Sequence, residues 1–251
     1  MHLSIIEFVF RDKRQYRLFL ALAMSTIFSF LLIGGRLWKA PFDWSAIHSW
    51  SDLKNYRGVD ATYLFLVWNL FLAWIPYWLS VSLNLLDRLI VPSRVSVGIL
   101  LGSWLVFFPN APYIVTDLLH LRPHTNVPFW YDVILFLSFA QTGLLLGYSS
   151  LFEIEHFVGR RFSQAITRGA TVGALALCGF GIFMGRFQRW NSWDVLHRPL
   201  AIARSEWHIA VNPMAYLGSI AVAVVISAFL MMGYWTFSAL KMAGRPSGEG
   251  F

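Results

Sequence analysis

The chain of 251 residues is 57% apolar and 13% charged, with a net charge of +7 and one cysteine. An ordinary soluble domain carries about a quarter charged residues, so a water-soluble fold is excluded, and Cys178 on its own excludes an intrachain disulfide and a thiolate metal cluster. The positive charge does not point to nucleic acid, because the Lys and Arg residues are scattered between apolar windows and form no run with interleaved aromatics.

A helix that crosses roughly 30 Å of hydrocarbon at about 1.5 Å per residue needs about 20 mostly apolar residues. Leu18 to Gly35 is the first such window and holds no ionisable side chain. Arg11, Lys13, Arg14 and Arg17 precede it, as basic residues precede a secretory signal. The stretch is longer than a signal core, however, and Gly34-Gly35-Arg36-Leu37-Trp38 offers no small-x-small cleavage site, so it is predicted to remain as a span. Thr62 to Leu86 is the second window, with Asn69 placing an amide and Pro76 a kink inside it.

The third window, Val95 to Thr116, ends in the most unusual stretch of the chain, Phe107 to Leu121. Pro109 and Pro112 remove two backbone donors and disfavour helical geometry at Phe108 and Ala111, so the helix is predicted to break there. A break at membrane depth requires groups that satisfy the freed carbonyls, and Asn110, Tyr113 and Thr116 are suited to that. If the chain resumes an α-helix after Pro112, then Tyr113, Thr116, Asp117 and His120 share one face. Two readings follow: a polar pocket in which Asp117 and His120 act as an acid/base pair, or a kinked helix end whose polar side chains cap the backbone.

Val133 to Phe152 is the fourth window, opened by Trp130-Tyr131-Asp132, and Gly169 to Gly185 is the fifth, the shortest at 17 residues. Directly after it comes a second motif, Gly185 to Pro199. Arg186 and Arg189, one helical turn apart, are placed to clamp a phosphate or carboxylate, or else to snorkel to headgroups and pair with Asp194 or Asp117. Asn191 or Ser192 is a candidate cap for a helix beginning near Trp193. Pro199 to His208 reads equally as an irregular loop or as an interfacial helix with Leu200, Ala203 and Trp207 on one stripe and Arg198 and Arg204 toward headgroups. Met214 to Leu240 is the sixth window.

Six spans give an all-α polytopic bundle, a single integral membrane domain over residues 1–251, with both termini on one side. Eleven Lys and Arg residues fall on that side and nine on the other, where connections are much longer, which places both termini in the cytoplasm. Loops near 36–61, 117–132 and 186–213 then face outward, and Trp38, Trp44, Trp50, Trp130, Trp190, Trp193 and Trp207 lie on or beside them, as interfacial anchors do.

Asp117-Leu-Leu-His120 and Asp194-Val-Leu-His197 repeat one spacing, which on a helix sets carboxylate and imidazole on one side. Asp117, His120, Asp194 and His197 are therefore the candidate ligands if a metal is bound, with His124 a further one if helix runs past Pro123. No cofactor is named by the sequence.

The first motif together with Gly185-Arg-Phe-Gln-Arg-Trp-Asn-Ser-Trp-Asp194 resembles a domain-of-unknown-function family of bacterial membrane proteins, from about the second span through the sixth. Pro109, Asn110, Pro112, Tyr113, Thr116, Asp117 and His120 match its pattern, as do Arg186, Arg189, Asn191, Ser192, Trp193 and Asp194, whereas His197 has no counterpart. The resemblance implies a bacterial inner-membrane location and carries no activity.

The expected function is an enzyme on a lipid-linked or envelope substrate in a polar, outward-facing pocket at the ends of the third and fifth spans. Asp117, His120 and Asp194 take its chemistry, and Asn110, Tyr113, Thr116, Arg186, Arg189, Asn191, Ser192 and Trp193 bind the ligand. The alternatives are a transporter or channel for a small anionic solute, favoured by the broken helix, and a non-catalytic membrane assembly subunit. Polar residues below the motifs are sparse, chiefly Asn69, Asn84 and Gln141, which disfavours transport. The lipid bilayer, with anionic or substrate-linked lipid, is the expected partner.

Overall fold

A computed structural model of the chain describes residues 9–39, 63–90, 92–123 and 126–243. Thr62, Trp44, Trp50, His124, Arg245 and most of the loop predicted at 36–61 lie outside the described residues. Among those described, every regular element is helical. We label the α-helices α1 (Lys13–Lys39), α2 (Phe65–Leu89), α3 (Arg94–Phe107), α4 (Asn110–Tyr113), α5 (Phe129–Gly159), α6 (Gln164–Phe183), α7 (Asp194–His197), α8 (Pro199–Val211) and α9 (Leu217–Ala243).

Six stretches are long and apolar enough to cross a membrane: Lys13–Lys39, Phe65–Leu89, Arg94–His120, Phe129–Gly159, Gln164–Gln188 and Met214–Leu240. Each overlaps one predicted window, and the fifth, 17 residues by composition, is a helical stretch of 25. Local chemistry sets several boundaries. Ser93 and Ser163 are extended N-caps whose hydroxyls accept from the backbone N–H of Ser96 and Ile166, opening α3 and α6. Pro199 stands in the first turn of α8, where its missing N–H costs nothing.

The chain divides into two units, Met1–Ile154 and Glu155–Phe251. In the first, α2 turns Leu66, Leu70, Ala73, Tyr77 and Val81 to one side, a helical repeat of buried positions. These pack with Leu22 and Ile33 of α1, Ala111 and Ile114 of the third span, and Leu135, Phe136, Phe139 and Leu146 of α5. Polar ties close one end: Arg11 Nη1 lies 3.3 Å from Glu153 Oε2, and Asn84 Nδ2 donates to the Glu153 carbonyl at 2.9 Å. In the second unit α6 packs on α9 through small residues. A Cβ on Gly179 would fall 2.9 Å from Ser227 Cα, so only glycine permits that approach.

Candidate active site at the broken third span

The predicted break is present. Helix α3 ends at Phe107, the single turn α4 follows, and the chain then tightens into a 3-10 helix over Ile114–His120. The expected four-residue α face therefore does not form. With three residues per turn, side chains three apart eclipse, so Asp117 and His120 stack on one ridge with Ile114, and Tyr113 and Thr116 stand on another. Asn110 Nδ2 donates to the Phe107 carbonyl at 3.0 Å and Thr116 Oγ1 to the Tyr113 carbonyl at 2.7 Å, as the capping reading requires.

Two glycines of α5 let the break sit where it does. Gly147 packs on Ala111 Cβ and Pro112 Cδ, each 3.4 Å from where its own Cβ would stand, and Gly143 faces the Ala111 carbonyl oxygen even more closely. The spacing is the small-x-x-x-small pattern by which spans approach closely.

Asp117 is 1% exposed, and Asn69 Nδ2 of α2 donates to its Oδ2 at 2.7 Å. The in-span amide thus orients the carboxylate. One 3-10 turn later His120 is exposed, with its ring edge-on to Phe65 at a centroid distance of 5.3 Å.

Beside this ridge lies an ion pair that sequence reasoning missed. Arg36 Nε donates to Asp132 Oδ1 at 2.7 Å and Nη2 to Oδ2 at 3.4 Å, with the residues 2% and 0% exposed. The guanidinium stacks 4.1 Å over the Tyr63 ring, and Tyr63 in turn abuts Phe136 and donates to the Arg122 carbonyl at 3.3 Å. Tyr63 holds φ at 57°, left-handed backbone that costs a bulky residue about 1–3 kcal/mol. Tyr131 fastens α5 to α1 by donating to the Leu32 carbonyl at 2.7 Å. A legible signal existed: opposite charges flank the first and fourth windows at ends that a six-span topology puts on one side.

The second motif departs further from expectation. After α6 the chain widens into a π-helix over Met184–Gln188 and leaves it at Arg189, whose φ of 63° is left-handed. Arg186 and Arg189 are therefore not one α-turn apart on a common face; Arg186 is half-buried and Arg189 exposed. Neither Asn191 nor Ser192 caps a helix, since the N-cap of α7 is Trp193 with no side-chain bond. Instead the Asp194 carboxylate accepts from the Asn191 N–H at 2.8 Å, and His197 Nδ1 lies 2.9 Å from the Trp193 carbonyl. Both side chains serve a local turn. Among the described residues, no three His, Cys, Asp or Glu side chains gather within reach of one metal ion.

Of the two readings of 199–208, the helix forms. Leu200 and Trp207, 72% and 68% exposed, point outward, while Ile202, Ser205, Glu206 and Ile209 turn inward. Both Glu206 carboxyl oxygens and Gln188 Oε1 are buried without a well-formed hydrogen bond among the described residues. Burial raises the Glu206 pKa above the ordinary carboxyl range, and the Gln188 amide beside it offsets that only in part. A carboxyl with a raised native pKa favours the folded state fully below its unfolded pKa, and that contribution is lost as pH rises through the native value. Thermal denaturation in detergent should therefore show Glu206→Gln more stable than the parent at pH 8, with the difference vanishing near pH 4; a difference independent of pH would refute this.

Six membrane-crossing helices, with buried ionisable groups at their ends, define a multi-pass integral membrane protein. Within that class the chain belongs to the family described as "Protein of unknown function (DUF1361)", whose model matches residues 68–240 and so takes in both motifs. No curated protein and no solved structure matches the chain.

Proposed function

We propose that the protein is an enzyme of the bacterial inner membrane, with cytoplasmic termini, that acts on a lipid-linked or envelope substrate at the extracytoplasmic end of its third span. The observation that carries this reading is the ridge of the 3-10 helix. It sets a buried carboxylate, oriented by Asn69, one turn below an exposed imidazole. An ionisable side chain at the end of a span is costly unless it has a role or a partner. The pairing suits general acid–base work, because an exposed imidazole can take up and give back a proton while a fixed carboxylate orients what it meets. Asn110, Tyr113 and Thr116 supply the polar lining.

The test is a mass-spectrometric profile of envelope lipids and lipid-linked intermediates in cells lacking the gene, complemented with wild type, Asp117→Asn or His120→Gln. Asparagine keeps an acceptor for the Asn69 amide, so Asp117→Asn should accumulate in the membrane at the wild-type level. It should nonetheless reproduce the lipid change of the deletion, and His120→Gln should do the same. Full complementation by Asp117→Asn, or a deletion that leaves the envelope lipids unchanged, would overturn the enzyme reading.

A further inference from the structure

Arg186 and Arg189 belong to the second unit; the first unit has cations of its own. Among the described residues, Arg36, Lys39 and Arg122 stand at the end of the first unit that carries Asp117 and His120. Arg36 is buried and spent on Asp132. Arg122 is exposed, and among the described residues no carboxylate pairs with it. It follows the exposed His120 by two residues, so the two Cα atoms lie within about 7 Å of each other. A single phosphate group can meet a guanidinium and an imidazole at that spacing.

An arginine on a loose loop would be an ordinary headgroup contact, but this backbone is pinned on both sides. Leu121, where the 3-10 helix gives way to extended chain, packs on the core of the unit. The Arg122 carbonyl accepts from the Tyr63 hydroxyl at 3.3 Å. Tyr63 is itself 1% exposed, held in left-handed backbone beneath the Arg36 guanidinium, which is buried with Asp132. Stability is a poor account of this assembly, because left-handed backbone is costly for a tyrosine and a buried ion pair adds little over apolar packing. Its outlets are more telling. Tyr63 reaches the Asp117 segment twice: through its hydroxyl to Arg122, and through Phe65, whose ring lies edge-on to Tyr63 at 6.2 Å and to His120 at 5.3 Å.

We propose that Arg122 is the anion-binding residue of the Asp117 site, holding the phosphate of a phosphoester substrate beside His120, and that Tyr63, backed by Arg36 and Asp132, positions it. The planar fork of a guanidinium gives a phosphate two parallel N–H bonds, which a lysine ammonium does not. This rests on the acid–base reading of Asp117 and His120 for its chemistry and adds the class of substrate.

The full chain in a neutral, phosphate-free detergent, titrated with inorganic diphosphate, tests the proposal through the phosphorus NMR linewidth and mass-spectrometric mapping of phenylglyoxal on arginines. Diphosphate should broaden saturably and slow modification of Arg122 but not of Arg94, which is exposed at the start of α3. Arg122→Gln should weaken binding about tenfold, the effect of one charge-assisted hydrogen bond, with Arg122→Lys in between. Tyr63→Phe keeps the ring beneath Arg36 and removes only the hydroxyl, so it should fold as the parent does and weaken binding about fivefold. Unchanged binding by a folded Tyr63→Phe would overturn the positioning role. No saturable binding, or binding that Arg122→Gln leaves intact, would overturn the anion site whatever the lipid profile shows. Slower modification of Arg122 in phosphatidylglycerol nanodiscs, without diphosphate binding in detergent, would mark a headgroup contact and overturn it too. Binding that depends on Arg122, in a protein whose deletion leaves the envelope lipids unchanged, would uphold the anion site and overturn only the enzyme reading.

Discussion

Asp132→Ala should cost roughly 3–5 kcal/mol of stability, because it strands the Arg36 guanidinium in a buried site with its bidentate partner gone. The penalty is desolvation of a lone charge more than loss of attraction. At 2% exposure Arg36 meets little water, and the face of Tyr63 offers it only a cation–π contact. Thermal melting in detergent should show a sharp drop for Asp132→Ala and a similar one for Arg36→Ala. The double variant Arg36→Met with Asp132→Leu should recover most of the loss, since neither charge then remains to be desolvated. Additive losses in the double variant would show that the residues act through packing and not as a pair.

Gly143→Val should lower stability by about 1–3 kcal/mol, the usual cost of forcing atoms into a close-packed contact, and should disable the Asp117 site in the same step. The side chain at 143 meets the Ala111 carbonyl, a backbone atom at the break, so relief requires α5 and the third span to part. Because Asp117 is six residues beyond Ala111 on the same segment, its hydrogen bond to Asn69 moves with the break. Gly147→Ala is the control. Its Cβ would meet Ala111 and Pro112 at ordinary contact distance, and Gly102 of α3 has open space, so Gly102→Ala should stabilise by about 0.5–1 kcal/mol through helix propensity. Equal effects at 143 and 147 in melting and in lipid profile would remove the close approach as the cause.

The spans were legible because hydrophobic length is a property of the chain alone: six windows low in charge yield six helices. The break was legible for the same kind of reason, since Pro109 and Pro112 lack backbone donors wherever they sit. The helix type beyond the break was not. Whether Ile114–His120 winds as α or 3-10 is decided by packing against Asn69, Phe65 and α5, and that choice regroups Tyr113, Thr116, Asp117 and His120. Likewise, the turn at Arg189 depends on a π-helix that no local propensity announces, and it separates two arginines whose spacing suggested a clamp. Arg36 and Asp132 flank apolar windows at ends that six spans bring to one side, but which charges pair there is decided by tertiary contact. The glycines at 143 and 147 show the reverse case, a readable four-residue spacing that marks where another span presses close.

The partners in the buried pair are separated by 96 positions, and that separation has a consequence for biogenesis. A ribosome adding about 5–20 residues per second needs roughly 5–20 s to reach Asp132 after Arg36 has emerged. For that interval the first helix is inserted with an unneutralised cation at the end that carries Arg36, held by headgroups or by the insertion machinery. Arrival of the fourth helix removes the cation from water, so stalling translation between the third and fourth helices should leave Arg36 open to a guanidine-reactive probe that does not reach it in the finished chain.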